Sequence, residues 1–212
     1  LGNVLQHGSE HDAALAAYQR ALALGLATPH LFDNLLFLLN YAPDLSGEEV
    51  FAHYRDYDQR IAMPLRAQWR PHANPRDTAR RLRVGYVSPD WREHASARFL
   101  EPLLAAHDRQ GFEVWAYAET ADEDQDATTA RYRRLVDHWV PTRGLGDAEL
   151  AERIRLDGID ILVDLAGHTR GNRLLVFARK PAPVSLTWMG YGSTTGLSAI
   201  DYHLSDAVHA PP

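Results

Sequence analysis

RLRVGYVSPD, residues 81–90, is the stretch on which the fold turns. Leu82, Val84, Tyr86 and Val87 make a short β-prone apolar run, Ser88, Pro89 and Asp90 stop it, and residues 97–110 then take up a helical period. The pattern predicts the first strand of an open α/β sheet. Ligands of such sheets lie at the carboxyl ends of the strands, so Asp90 and the polar loop behind it, with Glu93, His94 and Ser96, fall where a site is expected.

Downstream, β-prone runs recur at residues 112–118, 138–140, 159–166, 184–189 and 202–204, separated by helical stretches. One helix carries Phe99, Leu100, Leu103 and Leu104 on a face and closes at Gly111. Another is predicted over 148–156, with Asp147 as its N-cap and Asp157–Gly158 as its stop. IDILVDLA, residues 159–166, is nearly all apolar, as a central parallel strand covered on both faces should be. Alternating strands and helices predict a Rossmann-like α/β domain. Its strand ends bring Asp90 and His94, then Thr120, then Asp164, Gly167 and His168, then the loop 190–196 to one rim.

That loop, GYGSTTG, offers backbone N–H groups and three hydroxyls suited to a phosphate or a sugar; the same composition serves a tight turn equally well. It has no Walker lysine, and the first strand is not followed by G-x-G-x-x-G, which argues against a P-loop and against nicotinamide or flavin binding. His94 stands four residues after Asp90, a spacing that lets the carboxylate orient the imidazole or accept a proton itself; a solvated loop histidine and a turn-capping aspartate are the alternatives. Asp164, inside a buried strand, needs hydrogen-bond partners. His138 reads as core, and Lys180, the only lysine, as solvated.

Upstream, Gly2, Ala14 and Ala21 allow two antiparallel helices to approach, with Tyr18 filling the gap and Asp12 capping the second helix. Residues 1–29 therefore read as a helical hairpin with tetratricopeptide-like spacing, although the proline falls at position 29. His7 and His11 flank the turn and read as solvated rather than as a metal pair. Residues 30–70 continue helical, with a leucine stripe broken at Pro43 and Asp44 and a second amphipathic run over 48–62. Residues 71–80, PHANPRDTAR, read as a linker. The α/β region is predicted to occupy residues 81–212. A net charge of -6 argues against a general nucleic-acid binder, no run approaches membrane-spanning length, and the absence of cysteine excludes a disulfide frame and fits a cytoplasmic address.

Four blocks carry a resemblance: RLRVGYVSPDWREH, FEVWAYAE, DGIDILVDLAGHTRGNRLLVFARKPAPVSLTWMGYGSTTG and IDYHLSDAVHAPP. In order and content they resemble the protein O-linked N-acetylglucosamine transferases, most closely the SPINDLY-like branch, over residues 82–212. The resemblance implies the Rossmann-like N-terminal half of a GT-B glycosyltransferase, preceded by tetratricopeptide repeats. It implies transfer of N-acetylglucosamine or fucose, with inversion, from a nucleotide donor (UDP-GlcNAc or GDP-fucose) to serine or threonine of an acceptor protein or peptide. No metal or further cofactor is implied, and a missing C-terminal half, expected to carry most nucleotide contacts, would leave this chain alone inactive. Asp90 and His94 stand at the family's S-x-D-x-x-x-H block and are the catalytic candidates. Met189, Gly190 and Tyr191 stand in its donor-side L-G-Y-P-G-T block, whose Pro-Gly is Gly192–Ser193 here. Ser96, Gly167, His168 and Thr194 complete the candidate donor and acceptor contacts. Another nucleotide-sugar enzyme of the same fold, such as an epimerase, and a non-catalytic protein-binding module are the alternative functions.

Overall fold

A computed structural model describes residues 1–77 and 79–208; Thr78 of the linker and residues 209–212 of the last resemblance block lie outside the described residues. The α/β region is a six-stranded, all-parallel sheet: β1 (Leu82–Ser88), β2 (Phe112–Ala118), β3 (His138–Pro141), β4 (Ile161–Asp164), β5 (Val184–Trp188) and β6 (Tyr202–Leu204), in the order β3-β2-β1-β4-β5-β6. This is the doubly wound Rossmann order, in which the chain reverses direction across the sheet between β1 and β4. Strand alternation sorts the core into two layers. Val84 and Tyr86 point to the face covered by α5 (Ala97–Ala105) and α6 (Ala127–Leu135), whereas Val87 points to the opposite face, covered by α7 (Asp147–Leu156) and α8 (Leu174–Ala178).

The upstream helices are α1 (Gly2–His7), α2 (His11–Ala23), α3 (Pro29–Leu39) and α4 (Gly47–Tyr57), followed by a π turn (Asp58–Ala62) and a 3₁₀ helix (Met63–Gln68). Close approach explains the first pair: a Cβ on Gly2 would meet the Tyr18 ring at 2.4 Å, so the glycine makes room for the tyrosine. The second helix begins one residue before Asp12, after Glu10, so Asp12 lies in the first turn, favourable to the helix dipole, and is not the cap. A Ser46–Glu49 capping box starts α4.

One hydrophobic core runs from the helices into the sheet. Phe32, Leu35, Leu36, Tyr54 and Tyr57 belong to the same buried cluster as Val87, Leu162, Phe177 and Tyr191. Residues 71–77 carry no regular structure but are fastened: Asn74 Nδ2 donates to Gly158 O, Ile159 O and Asp160 Oδ1. Arg80 meets Asp160 through both terminal nitrogens (2.8 and 2.5 Å), and Arg83 N–H donates to the same carboxylate at 2.8 Å. Burial works against the Asp160 carboxylate, yet these donors outweigh it and hold its pKa below the ordinary value. Two sequence readings change here. His138 stacks on Trp115 at 3.8 Å and pairs with Glu113 at 2.6 Å, half-buried at the first position of the edge strand β3 rather than in the core. Lys180, with its side chain 11% exposed, is not solvated: its Nζ donates to Ala199 O and Asp201 Oδ2.

Candidate functional site

The loop after β1 is rigid for identifiable reasons. Trp91 is fully buried, packs edge-on against Tyr132 and Trp139, and donates its Nε1–H to Tyr117 O. Thr120 Oγ1 accepts from Trp91 N–H and donates to Pro89 O. Glu93 N–H donates to Asp126 Oδ2 at 2.7 Å, the leading reason that carboxylate is held below its usual pKa. Asp90 and His94 are thus carried on a loop locked from three sides.

Their own geometry is open. The Asp90 side chain is 17% exposed and its carboxylate accepts no hydrogen bond among the described residues; the groups nearest in charge are Arg92 at 3.8 Å and His94 Nδ1 at 3.9 Å. His94 Nδ1 instead faces Ser96, accepting from its backbone N–H at 3.3 Å and lying 2.9 Å from its hydroxyl. A ring nitrogen that accepts a backbone N–H carries no hydrogen, so in the neutral ring Nε2 bears it and points a donor outward.

Strand ends then close the walls. A cavity of about 760 Å³ is bounded by Asp90, Arg92 and His94 after β1, by Glu119, Thr120 and Asp124 after β2, by Arg143 after β3, by Thr169–Gly171 after β4 and by Gly190 after β5. It opens at the switch point of the strand order, where doubly wound sheets hold their ligands. Arg173 ties the rim together, pairing with Glu119 at 2.7 Å and Asp147 at 2.8 Å. Arg170 makes no hydrogen bond or ion pair among the described residues and projects from the loop after β4. Glu119, Arg92, Arg143 and Arg170 were not singled out in the sequence; each lies within six residues of a strand's carboxyl end, and extending that rule to every charged residue there finds them.

The loop after β4 is started by Asp164, fully buried, which accepts from Ala166 and Gly167 N–H and from Thr187 Oγ1 at 2.7 Å; burial raises its pKa. His168 lies beneath this loop rather than on the cavity wall. Its side chain is 0% exposed, Nδ1 contacts Asp33 Oδ1 at 2.8 Å and Nε2 contacts Thr195 O at 2.8 Å, so it has no free nitrogen for a ligand. Gly167, at φ +52°, is a turn residue covered by Tyr191.

Met189, Gly190 and Tyr191 go three different ways. Met189, at φ +68°, lines a separate cavity of about 310 Å³ with Phe99, Trp188 and His203. Gly190 floors the main cavity, and a Cβ there would lie 1.7 Å from Leu165 O, so glycine is required by the backbone beneath it. Tyr191 is buried in the seam with the helices: its hydroxyl donates to Leu36 O (3.0 Å) and meets Tyr54 Oη (2.7 Å) and Asn40 Nδ2 (2.9 Å). Thr194 and Thr195 spend their hydroxyls on Gly196 and Leu197 N–H. Of the 190–196 loop only Gly190 borders the cavity, and the expected cradle of N–H groups and hydroxyls is here a packed turn.

A parallel sheet of this order with a charged cavity at its switch point defines a Rossmann-like α/β ligand-binding unit. The chain belongs to glycosyl transferase family 41, whose family model matches residues 58–212. It is 34% identical over 200 residues to the probable UDP-N-acetylglucosamine–peptide N-acetylglucosaminyltransferase SPINDLY of Oryza sativa subsp. japonica, covering 92% of this chain and 21% of that protein. Against the UDP-N-acetylglucosamine–peptide N-acetylglucosaminyltransferase of Caenorhabditis elegans it is 37% identical over 134 residues, 62% of this chain and 11% of that one. The solved K341M mutant of the Thermobaculum terrenum O-GlcNAc transferase superposes with a TM-score of 0.89 at 40% identity, covering all of this chain and 40% of that one. The chain thus spans about a fifth of the length of the curated SPINDLY relative and two fifths of the solved one. Among the described residues no helix is long and apolar enough to cross a membrane.

Proposed function

We propose that this chain forms the acceptor-facing α/β half, with its preceding helices, of a protein O-glycosyltransferase that moves a sugar from a nucleotide donor to serine or threonine hydroxyls. The observation that carries the reading is the convergence of five strand ends on one charged cavity at the switch point, in a chain of this family. N-acetylglucosamine from UDP-GlcNAc is the favoured donor, because the relatives' names specify it; GDP-fucose is the competing donor. The remaining length of the relatives is assigned the second wall of the cleft and the nucleotide, and a cytoplasmic site of action goes with the reading.

An acceptor hydroxyl must shed its proton as the glycosidic bond forms, and the departing diphosphate must be met by donors. Asp90 suits the first need: its carboxylate has lone pairs free of hydrogen bonds on the cavity wall. His94 suits the second, because Ser96 N–H holds Nδ1 as the acceptor and leaves Nε2–H to donate. Arg170, without an ion-pair partner among the described residues, and Arg92 add positive charge around the same cavity. The test is incubation of the full-length protein with labelled UDP-GlcNAc or GDP-fucose and a library of serine- and threonine-containing peptides. Label appearing in peptide supports the reading, and free sugar or an epimerised nucleotide sugar without peptide labelling overturns it.

A further inference from the structure

Between α3 and the cavity runs a side-chain linkage that the chemistry of Asp90 and His94 does not use. Asp33, on the exposed-side turn of α3, has its side chain 18% exposed and holds the loop after β4 at two points. Its Oδ1 takes His168 Nδ1 at 2.8 Å, and its Oδ2 accepts from Asn172 Nδ2 at 3.1 Å. Between those two residues lie Thr169, Arg170 and Gly171, the part of the loop that forms the cavity wall.

The far side of the linkage is equally fixed. His168 Nε2 reaches Thr195 O at 2.8 Å, and its ring is enclosed by Tyr54, Tyr57 and Tyr191 at centroid distances of 5.6, 4.8 and 5.6 Å. His168 thus faces a carboxylate oxygen at Nδ1 and a carbonyl oxygen at Nε2, acceptors on both sides of the ring. The same three loop residues also border a second cavity of about 700 Å³, lined on its other side by His7, His30 and Asn34 of the helices. The wall segment therefore separates two cavities, and among the described residues the side-chain hydrogen bonds that reach its two ends from the helices are those of the Asp33 carboxylate.

We propose that Asp33 is a positioning residue: it sets Thr169–Arg170–Gly171 on the cleft wall from the helical segment, so that the helices and the wall hold one registration during transfer. The catalytic consequence rests on the glycosyltransferase reading; the structural linkage does not. A displacement of about 1 Å in a positioned wall is enough to cost about a hundredfold in rate.

The test compares Asp33→Ala, Asp33→Leu and Asp33→Asn in the full-length protein. Asparagine can still hydrogen-bond both His168 Nδ1 and Asn172, whereas alanine and leucine can do neither; leucine keeps the branched side-chain skeleton where alanine leaves a hole. In hydrogen exchange, the Thr169 and Asn172 amides, which close turns onto Ala166 O and Thr169 O, should exchange at least tenfold faster in the alanine or leucine variant, with β1 and β4 amides unchanged and Asp33→Asn close to wild type. In the transfer assay kcat should fall about tenfold to hundredfold in the same two variants at saturating donor and acceptor, with recovery in Asp33→Asn. A folded Asp33→Leu protein with native loop exchange overturns the proposal, as does loosened exchange with a native kcat. If the wild-type protein transfers no sugar, the functional reading fails, and the exchange result alone then decides the linkage.

Discussion

Tyr191 stands in a stretch that sequence resemblance assigns to the donor, yet its hydroxyl is consumed in the seam between helices and sheet, and Tyr191→Phe separates the two roles. The substitution removes one oxygen and leaves the ring packing intact. Tyr54 Oη, at 0% residue exposure, has Tyr191 as its hydrogen-bond partner and would be left buried and unsatisfied, a cost of about 1–3 kcal/mol. Asn40 keeps its bonds to Leu36 O and Phe37 O, so the remaining loss is about one ordinary hydrogen bond, roughly 1 kcal/mol. The expected destabilisation is therefore about 2–4 kcal/mol, read as a lower urea midpoint at unchanged m-value. Tyr54→Phe, which leaves Tyr191 two partners, should cost only about 1 kcal/mol. The double variant should cost less than the sum, because no orphan remains. Donor affinity of folded Tyr191→Phe should stay within about twofold of wild type. A loss of stability below about 0.5 kcal/mol, or a tenfold loss of donor affinity in the folded variant, would refute the reasoning and return Tyr191 to the ligand.

Gly190→Ala should cost about 4 kcal/mol or more, or prevent folding, because its Cβ would sit 1.7 Å from Leu165 O where real contacts stay beyond 3.0 Å; circular dichroism and a thermal melt check it. Asp160→Asn should destabilise by about 2–3 kcal/mol at neutral pH by stripping the charge that Arg80 faces. The folded-state pKa of Asp160 is lowered, so its contribution is complete above the ordinary carboxylate value and is lost as pH falls through the folded-state value; the gap between wild type and variant should be flat at neutral pH and narrow only once pH falls below the ordinary carboxylate value. In the full-length protein, Asp90→Asn should lower kcat by about 10²–10⁴-fold with a smaller change in acceptor KM, as expected for loss of a proton acceptor, and steady-state kinetics with a labelled donor measure it.

Much of the fold was legible because its signals are local. The ends of β1, β2 and β6 coincide with the apolar runs read from sequence. IDILVDLA shortens to Ile161–Asp164 because Ala166 N–H turns back to the Asp164 carboxylate and leaves the ladder. Helix α6 escaped a hydrophobic-period reading for a physical reason: its buried face is Thr128, Thr129 and Tyr132, whose hydroxyls are satisfied or enclosed within the fold, so polar residues occupy core positions. The candidate site divides along the same line. Strand-end placement finds the rim, and it put Asp90 and His94 on the cavity. Composition cannot say which way a side chain turns, so Met189, Tyr191, Thr194 and His168 were gathered at one ligand although their directions are set by the helices packed across the sheet, at sequence separations above a hundred residues for Tyr191 and His168.

The division of labour between Asp90 and His94 turns on one hydrogen. For His94 to take a proton from an acceptor hydroxyl at Nε2, the ring hydrogen must move to Nδ1, which then opposes Ser96 N–H, another donor, and is left to donate to Ser96 Oγ at 2.9 Å, Asp90 Oδ2 lying 3.9 Å away. That exchange gives up the contact that Ser96 N–H makes with Nδ1 and sets two donors against each other. On the proposed reading the ring as held is the donor, and the open carboxylate beside it the acceptor. His94→Gln, which can present a side-chain N–H from a similar distance, should therefore retain more kcat than His94→Ala, by about tenfold, and both should retain more than Asp90→Asn. If His94 were the base, glutamine, which cannot accept and hold a proton at neutral pH, would be as inactive as alanine. Equal kcat values for His94→Gln and His94→Ala, both below Asp90→Asn, would reverse the assignment.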